Sequence, residues 1–558
     1  MPERKPSSQN QERMIRRRLR KFNVTEQRQS VTGAITTIFL ANTHAIKIST
    51  RTENPALRLT SPVPSPLPPP AESSDEKLHL PGLALGNICV FNGLPFFSPG
   101  GREWIRKQTG EDVSLNQYNP PRSSWWLRPA TAPAVALPSE EHLKELLEAY
   151  ESSPLAHIFP FIYPPLFRDT VRKAYREQRS GNYSNADAMA CIFAFIAVSS
   201  ICFFARDPSD NMINYASASY DMLPSLCRGS ITVDGLQALL LLSFYSQAVV
   251  GDILSTELLV STAQRFVFHL GGHISPGSRD NASKGPPGVR LHVRNLFWIC
   301  YVFNQELSLR TGLPPNLTDV NCDLTLPEAP RSEPQGLTSS ENSGCSPILF
   351  QFAQLATIQS QIYRRLYSVT ALSQTDAELL CTIRDLDELL DDWKHSIPSQ
   401  SRPSFKHRRP EVEDITSSIL QVQYHYCMVT IHQASGRCIS WTQNTRGPGS
   451  SLAINVQASR SLLQKFSHFE LRINRYNLLF CLPYLAAAMI HLFCDILLHP
   501  LDPVCHSDLA LMDTVRDHMM AQLWSQAPTA FRMQVHFVKD LSCEIQRLAR
   551  SAIYRAGG

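Results

Sequence analysis

The chain has 558 residues, of which 43% are hydrophobic and 18% charged, with a formal net charge of +4. That length and apolar content describe a folded chain with a sizeable core and exclude a wholly disordered one. The small net charge argues for no nucleic-acid partner by itself, so the placement of the charges matters more than their sum.

Basic residues concentrate at the start. Residues 1–30 carry Arg4, Lys5, Arg13, Arg16, Arg17, Arg18, Arg20, Lys21 and Arg28 against Glu3, Glu12 and Glu26. The run Arg16, Arg17, Arg18, Arg20 and Lys21 suits a nuclear import receptor or nucleic-acid phosphates, and its alternative reading is a solvated tail. Residues 54–71 are proline-rich, extended and unable to build a core. Residues 1–77 therefore read as a basic, proline-rich disordered tail and linker. Residues 78–134 read as a partly ordered segment, with short apolar runs between Gly-Pro turns from 83 to 117, then Trp125-Trp126 followed by spaced prolines.

From about residue 135 the chain reads as all-α. Ser139 supplies an N-cap and Glu140 and Glu141 an acidic first turn for a helix to Glu151, with Leu143, Leu146 and Leu147 inward. Residues 189–205 are uncharged but shorter than the roughly 20 residues of a membrane span, so they read as a core helix. Leu236, Leu239, Leu240 and Phe244 recur at helical spacing, as do Leu258, Ala263, Phe266 and Val267 after a break at Gly251-Asp252. Residues 274–289 read as a loop. A helix follows from 291 to 310, with Leu296, Phe297, Ile299, Cys300, Phe303 and Leu307 as its stripe. Gly312 stops it, and Pro314-Pro315 forbid its continuation. After a polar loop over 328–345, helices are expected over 348–372, 376–393, 415–433, 455–466, 476–498, 507–524 and 530–554. Pro483, His491 and Asp495 argue against a membrane span within 476–498.

Motifs for nucleotide, phosphate, acyl-transfer or metalloprotease chemistry do not occur, so no enzyme is expected. The 14 cysteines are scattered singly. Cys191, Cys202, Cys300, Cys381 and Cys427 fall on apolar helix faces, where thiols act as small hydrophobes in a reducing compartment. His491, Cys494, His499, Cys505 and His506 match no zinc spacing and read as core and loop. Asp385, Asp387, Glu388, Asp391 and Asp392 read as a solvated helix face.

One ordered set of residues resembles the middle homology region of fungal zinc-cluster transcription factors. It comprises Gly251, Asp252, His269-Leu270-Gly271, Phe297, Trp298, Tyr301, Gly312, Pro314, Asp319, Asp323 and Leu326-Pro327, preceded by a Phe-Pro to Pro-Pro-Leu-Phe entry over 159–167. The chain departs from that pattern at Asn304-Gln305, where the family usually has Asp-Arg, and at Leu313, where it usually has Arg before the proline. The charge network of that turn is therefore not carried over.

The resemblance implies that residues 135–330 form this region and 346–558 the C-terminal helical half of the same body. It further implies a nuclear regulator of transcription, controlling a metabolic or secondary-metabolite gene cluster. Its partners would be DNA, directly or through a partner transcription factor, a second subunit in a homo- or heterodimer, and a small-molecule effector, with no membrane. The family reads DNA through a six-cysteine cluster holding zinc. No cysteine precedes Cys89 here, so no cofactor is expected from this sequence. A zinc-less relative acting through partners, a sequence missing its first exon, and DNA contact by the basic run all fit that observation. The alternatives are a co-regulator that pairs with a complete zinc-cluster factor, and a helical enzyme or ligand-binding body.

Overall fold

Capping side chains set where many of the helices begin. Ser98, Ser139, Thr232, Asp252 and Thr375 each accept a hydrogen bond from the backbone N–H three residues on, satisfying a donor the helix cannot. At Thr375 the bond is returned by Glu378, which closes a capping box.

The computed structural model describes residues 89–92, 94–116, 118, 135–180, 186–203, 211–275, 286–326, 346–399, 401–403, 415–438, 451–468, 475–523 and 527–557. All lie within one compact unit, Asp75–Gly558. The basic run Arg16, Arg17, Arg18, Arg20 and Lys21, and Pro327, lie outside the described residues.

The first described element is an antiparallel hairpin of β1 (Cys89–Asn92) and β2 (Leu94–Phe97), with Cys89 opposite Phe97. The helices follow as α1 (Pro99–Thr109), α2 (Glu140–Glu151), α3 (Pro154–Ile158), α4 (Pro164–Ser180), α5 (Ala186–Phe203), α6 (Asn211–Asp221), α7 (Leu223–Arg228), α8 (Val233–Tyr245), α9 (Ile253–His269) and α10 (Pro287–Thr311). The C-terminal half supplies α11 (Pro347–Ile362), α12 (Asp376–Ser396), α13 (Ile415–Gln433), α14 (Ser451–His468), α15 (Arg475–Leu498), α16 (Val504–Ala521) and α17 (Thr529–Gly557). Fold class is therefore all-α, as expected. The hairpin and α1 pack on α15 and α17, α5 packs on α8, α8 on α9, α10 on α11, and α14 bridges α13 and α15.

Two stretches, Val233–Val250 and Phe480–Leu498, are long and apolar enough to cross a membrane by length and composition. They are 89% and 83% buried inside the fold, which makes them core helices, apolar all round because protein surrounds them. α10 is buried in the same way from His292 to Arg310.

α8 does not stop at Tyr245. It widens into a π-turn, Ser246–Val250, that ends on Gly251 in the left-handed region at φ 72°. The turn is pinned from several sides. Asp252 N–H donates to Ser246 O at 3.1 Å, Gln534 Nε2 to Val249 O at 2.9 Å, and Tyr118 OH to Val250 O at 3.2 Å. A Cβ on Gly251 would lie 2.7 Å from the Gln534 side chain, so both the backbone angle and the close approach favour glycine.

The structure corrects several sequence expectations. Leu258 is 44% exposed, because the buried stripe of α9 runs through Leu259, Val260, Ala263, Phe266 and Val267 instead. Cys381 is exposed, outside the buried face of α12. The helix expected over 348–372 ends as α11 at Ile362, passes through a π-turn, Tyr363–Tyr367, and stops where Ser368 turns extended at ψ 158°. The Ser368 hydroxyl receives the Ala371 N–H and donates to Arg364 O, a local stop that no glycine or proline announces. α10 starts at Pro287, earlier than the expected 291, since a proline at the first helical position costs the helix nothing.

Two measurements test this packing. Gly271 shares the left-handed geometry of Gly251 (φ 75°) but nothing crowds it. Gly271→Ala should destabilise the chain in urea unfolding by about 1–2 kcal/mol, and Gly251→Ala by about 1–3 kcal/mol more.

The second concerns buried histidines. Burial pulls the pKa of His292 and His425 down to about 3 and that of His491 to about 4, with Lys465 adding to the effect at His425. Because the folded pKa lies below the unfolded one, the unfolded chain takes up these protons first. Stability present above about pH 6.5 is therefore lost as pH falls toward the folded values. His292→Gln should flatten the loss measured between about pH 6 and 4 by on the order of 1 kcal/mol per pH unit.

Candidate functional site

α10 carries the site, and its N-terminal half anchors it. Phe297, Trp298 and Tyr301 are fully buried and pack edge to face, with Phe297–Trp298 centroids 5.1 Å apart and Trp298–Tyr301 5.6 Å. Arg294 lies over Phe297 at 4.5 Å and donates to Gly272 O, Asp323 O and Thr325 O. Burial lowers its pKa to about 10, which leaves it charged at neutral pH. One guanidinium thus fastens the segments after α9 and after α10 to the same helix.

The departures from the zinc-cluster pattern fall one turn further on. Asn304 Oδ1 accepts from Leu317 N–H at 3.0 Å, and Gln305 Nε2 donates to Leu317 O at 2.9 Å. Two neutral amides therefore clamp the backbone of the turn, with no charge involved. Gly312, at φ 75°, caps the helix through its N–H to Ser308 O. Leu313, Pro314 and Asp319 are exposed, and Asp319 pairs with exposed Arg364. Such a surface pair is worth little.

Between these two regions sit Glu306 and Arg310, 3.0 Å apart, with side chains only 8% and 4% exposed. Four further side chains complete the cluster. Tyr484 OH donates to Glu306 Oε1 at 2.6 Å, Gln247 Nε2 to Glu306 Oε2 at 2.6 Å, and Gln423 Nε2 to Tyr484 OH at 2.6 Å. Gln359 Nε2 extends the chain to Gln423 Oε1 at 3.0 Å. Burial works against the charge on Arg310, but Glu306, Tyr484 and Tyr426 together act the other way, and its pKa ends raised. Burial, then Glu306, pushes the Tyr484 phenol well above its usual value, which keeps it a donor.

The cluster forms one wall of a cavity of about 50 Å³, enough for a few water molecules. Phe159, Phe244, Phe303, Phe352 and Phe480 also line it. Its lining comes from the segment after α3, from α8 and the π-turn that follows it, and from α10, α11, α13 and α15, so N-terminal and C-terminal helices both contribute.

Gly251 and Asp252 hold the π-turn that aims Gln247; Phe297, Trp298 and Tyr301 root α10; Gly312 and Pro314 end it. These residues frame the site without entering it. Glu306, Arg310, Gln247, Gln359, Gln423 and Tyr484 were not anticipated from sequence. The available signal was one pair of opposite charges, four residues apart, in a run from 295 to 310 otherwise free of charge.

The buried contact of Cys191, Gln237 and His292 is poorly disposed for nucleophilic chemistry. Cys191 reaches Gln237, whose amide meets His292, but burial raises the thiol pKa and lowers that of the imidazole, the reverse of an activated pair. Among the described residues no group of three or more His, Cys, Asp or Glu side chains converges as a metal site, including those at 491–506 and on the acidic face of α12.

This architecture is that of an all-α body with a buried polar junction, and comparison with known proteins gives its class. Residues 155–395 match the family described as the fungal specific transcription factor domain, so the chain carries that domain, as the resemblance implied. A protein of Aspergillus oryzae named ABC-transporter-regulating transcription factor is 25% identical over 500 residues, covering 83% of this chain and 54% of the relative. Its namesake in Aspergillus fumigatus is 25% identical over 499 residues with the same coverage. The Fusaridione A cluster transcription factor fsdR of Fusarium heterosporum is 33% identical over 138 residues, 25% of each chain. The chain spans about half the length of the Aspergillus relatives it matches.

Glu306→Leu or Arg310→Met alone leaves a buried charge unpaired and should cost about 3–5 kcal/mol in urea unfolding. The double variant should cost less than the sum of the two, and a cycle closing on simple additivity would show that the pair is uncoupled.

Proposed function

We propose that this chain is a nuclear regulator of transcription whose helical body is its regulatory part. Its targets on this reading are genes of transport or secondary metabolism. The observation that carries the reading is the match of residues 155–395 to the fungal specific transcription factor domain. The names of the relatives support the choice of targets, two regulating ABC transporters and one a biosynthetic cluster. The buried, unactivated thiols and imidazoles favour a non-enzymatic role. Burial of both long apolar helices favours a body that sits in no membrane.

On this reading the run from Arg16 to Lys21 directs nuclear import or contacts phosphates, and DNA is engaged directly or through a partner transcription factor. Replacing Arg16, Arg17, Arg18, Arg20 and Lys21 by Ala in a fluorescent fusion should change a nuclear signal to a diffuse one. An unchanged nuclear signal would remove the run from the account. Chromatin crosslinking of the full chain should enrich promoter DNA. Binding of purified chain to bare DNA that falls steeply with salt marks direct contact, whereas salt-resistant capture of a zinc-cluster factor marks the co-regulator reading.

A further inference from the structure

The cavity is lined by the phenylalanines Phe159, Phe244, Phe303, Phe352 and Phe480 together with the polar cluster around Glu306 and Arg310. We propose that it is a binding site for a small neutral aromatic molecule carrying one hydroxyl group. The inference borrows only its regulatory meaning from the function proposed above.

The aromatic lining suits a ring. Phe159 and Phe303 meet edge to face at 5.2 Å, and Phe244 and Phe480 are tilted at 5.3 Å, the arrangement into which another ring inserts with favourable edge contacts. The polar lining selects against charge. Glu306 and Arg310 neutralise each other, so an ionised ligand would strand its own charge among phenylalanines. A hydroxyl both donates and accepts, so it can take the place of the Gln247 amide on Glu306 while satisfying the amide it displaces.

Two helix irregularities border the same space. The π-turn Ser246–Val250 contributes Gln247 and Ala248, and α15 contributes Pro483, which removes one rung of its helical hydrogen bonding. Irregularities of this kind are where packed helices yield at least cost. Yielding is needed, because about 50 Å³ is roughly a third of the engineered cavity of about 150 Å³ that takes up benzene.

The test uses the full purified chain, with p-cresol and toluene as probes, read by calorimetry and by thermal melting. The expected result is that p-cresol binds at one site and raises Tm, while toluene binds about tenfold or more weakly for want of the hydroxyl. Ala248→Leu extends an apolar side chain at the cavity wall and should weaken p-cresol more than tenfold with an unchanged circular dichroism spectrum. Gln247→Leu should narrow the gap between the two probes. Should Ala248→Leu fail to fold, Phe352→Leu decides in its place, since the enlarged cavity must admit 4-propylphenol, which the wild type excludes. No p-cresol binding to the wild type would mean a cavity that holds only water and would overturn the proposal. Unchanged binding in Ala248→Leu, or exclusion of 4-propylphenol by Phe352→Leu, would put the site elsewhere and overturn it equally. None of these readouts involves transcription, so either outcome leaves the regulatory reading to its own tests.

Discussion

A buried charge pair is the constraint on which the body turns. Moving Glu306 and Arg310 out of water costs several kcal/mol per ion, and their mutual attraction offsets this only when the remaining hydrogen-bonding capacity is filled. Here the donors to Glu306 come from far along the chain, Gln247 from 59 residues away and Tyr484 from 178. The pair is therefore satisfied only when the π-turn after α8, the helix α10 and the C-terminal helix α15 are all docked. Tyr426 strengthens the same seam by donating to Leu309 O from α13. Filled in this way, the cluster ties three distant elements to one arrangement.

The order of residues in the middle region thereby acquires a mechanical meaning. Gly251, at a positive φ and with the Gln534 side chain 2.7 Å from where a Cβ would lie, ends the turn that carries Gln247 to Glu306. The aromatic trio Phe297, Trp298 and Tyr301 fixes the helix, and Arg294 ties two flanking segments to it. Asn304 and Gln305, which stand where the family usually has a charged pair, grip the Leu317 backbone through neutral amides. A motif that reads as a functional signature is, in this chain, a frame around a junction.

Much of the fold was legible in the sequence because helices announce themselves locally. Ser139 before an acidic turn and Gly312 after a long apolar stripe each led to the observed element. What was not legible depended on partners elsewhere. The short helices α6 and α7 lack a clear stripe, Leu258 fits the apolar period but faces outward, and the stop at Ser368 rests on one hydroxyl. The site was hidden for the same reason. It is built mainly from glutamines, a tyrosine and phenylalanines, residue types with no spacing rule, brought together only by tertiary packing. Its one local trace was the isolated Glu306–Arg310 spacing.

Native-state hydrogen exchange on α10 and α15 tests this account most directly, because it asks whether the two halves are one cooperative unit. If the buried pair and its donors lock the halves together, the slowest amides of both helices exchange with the same free energy, equal to that of global unfolding. If α15 opens at a distinctly lower free energy while α10 stays protected, the halves are separable. The junction would then not be the element that organises the protein.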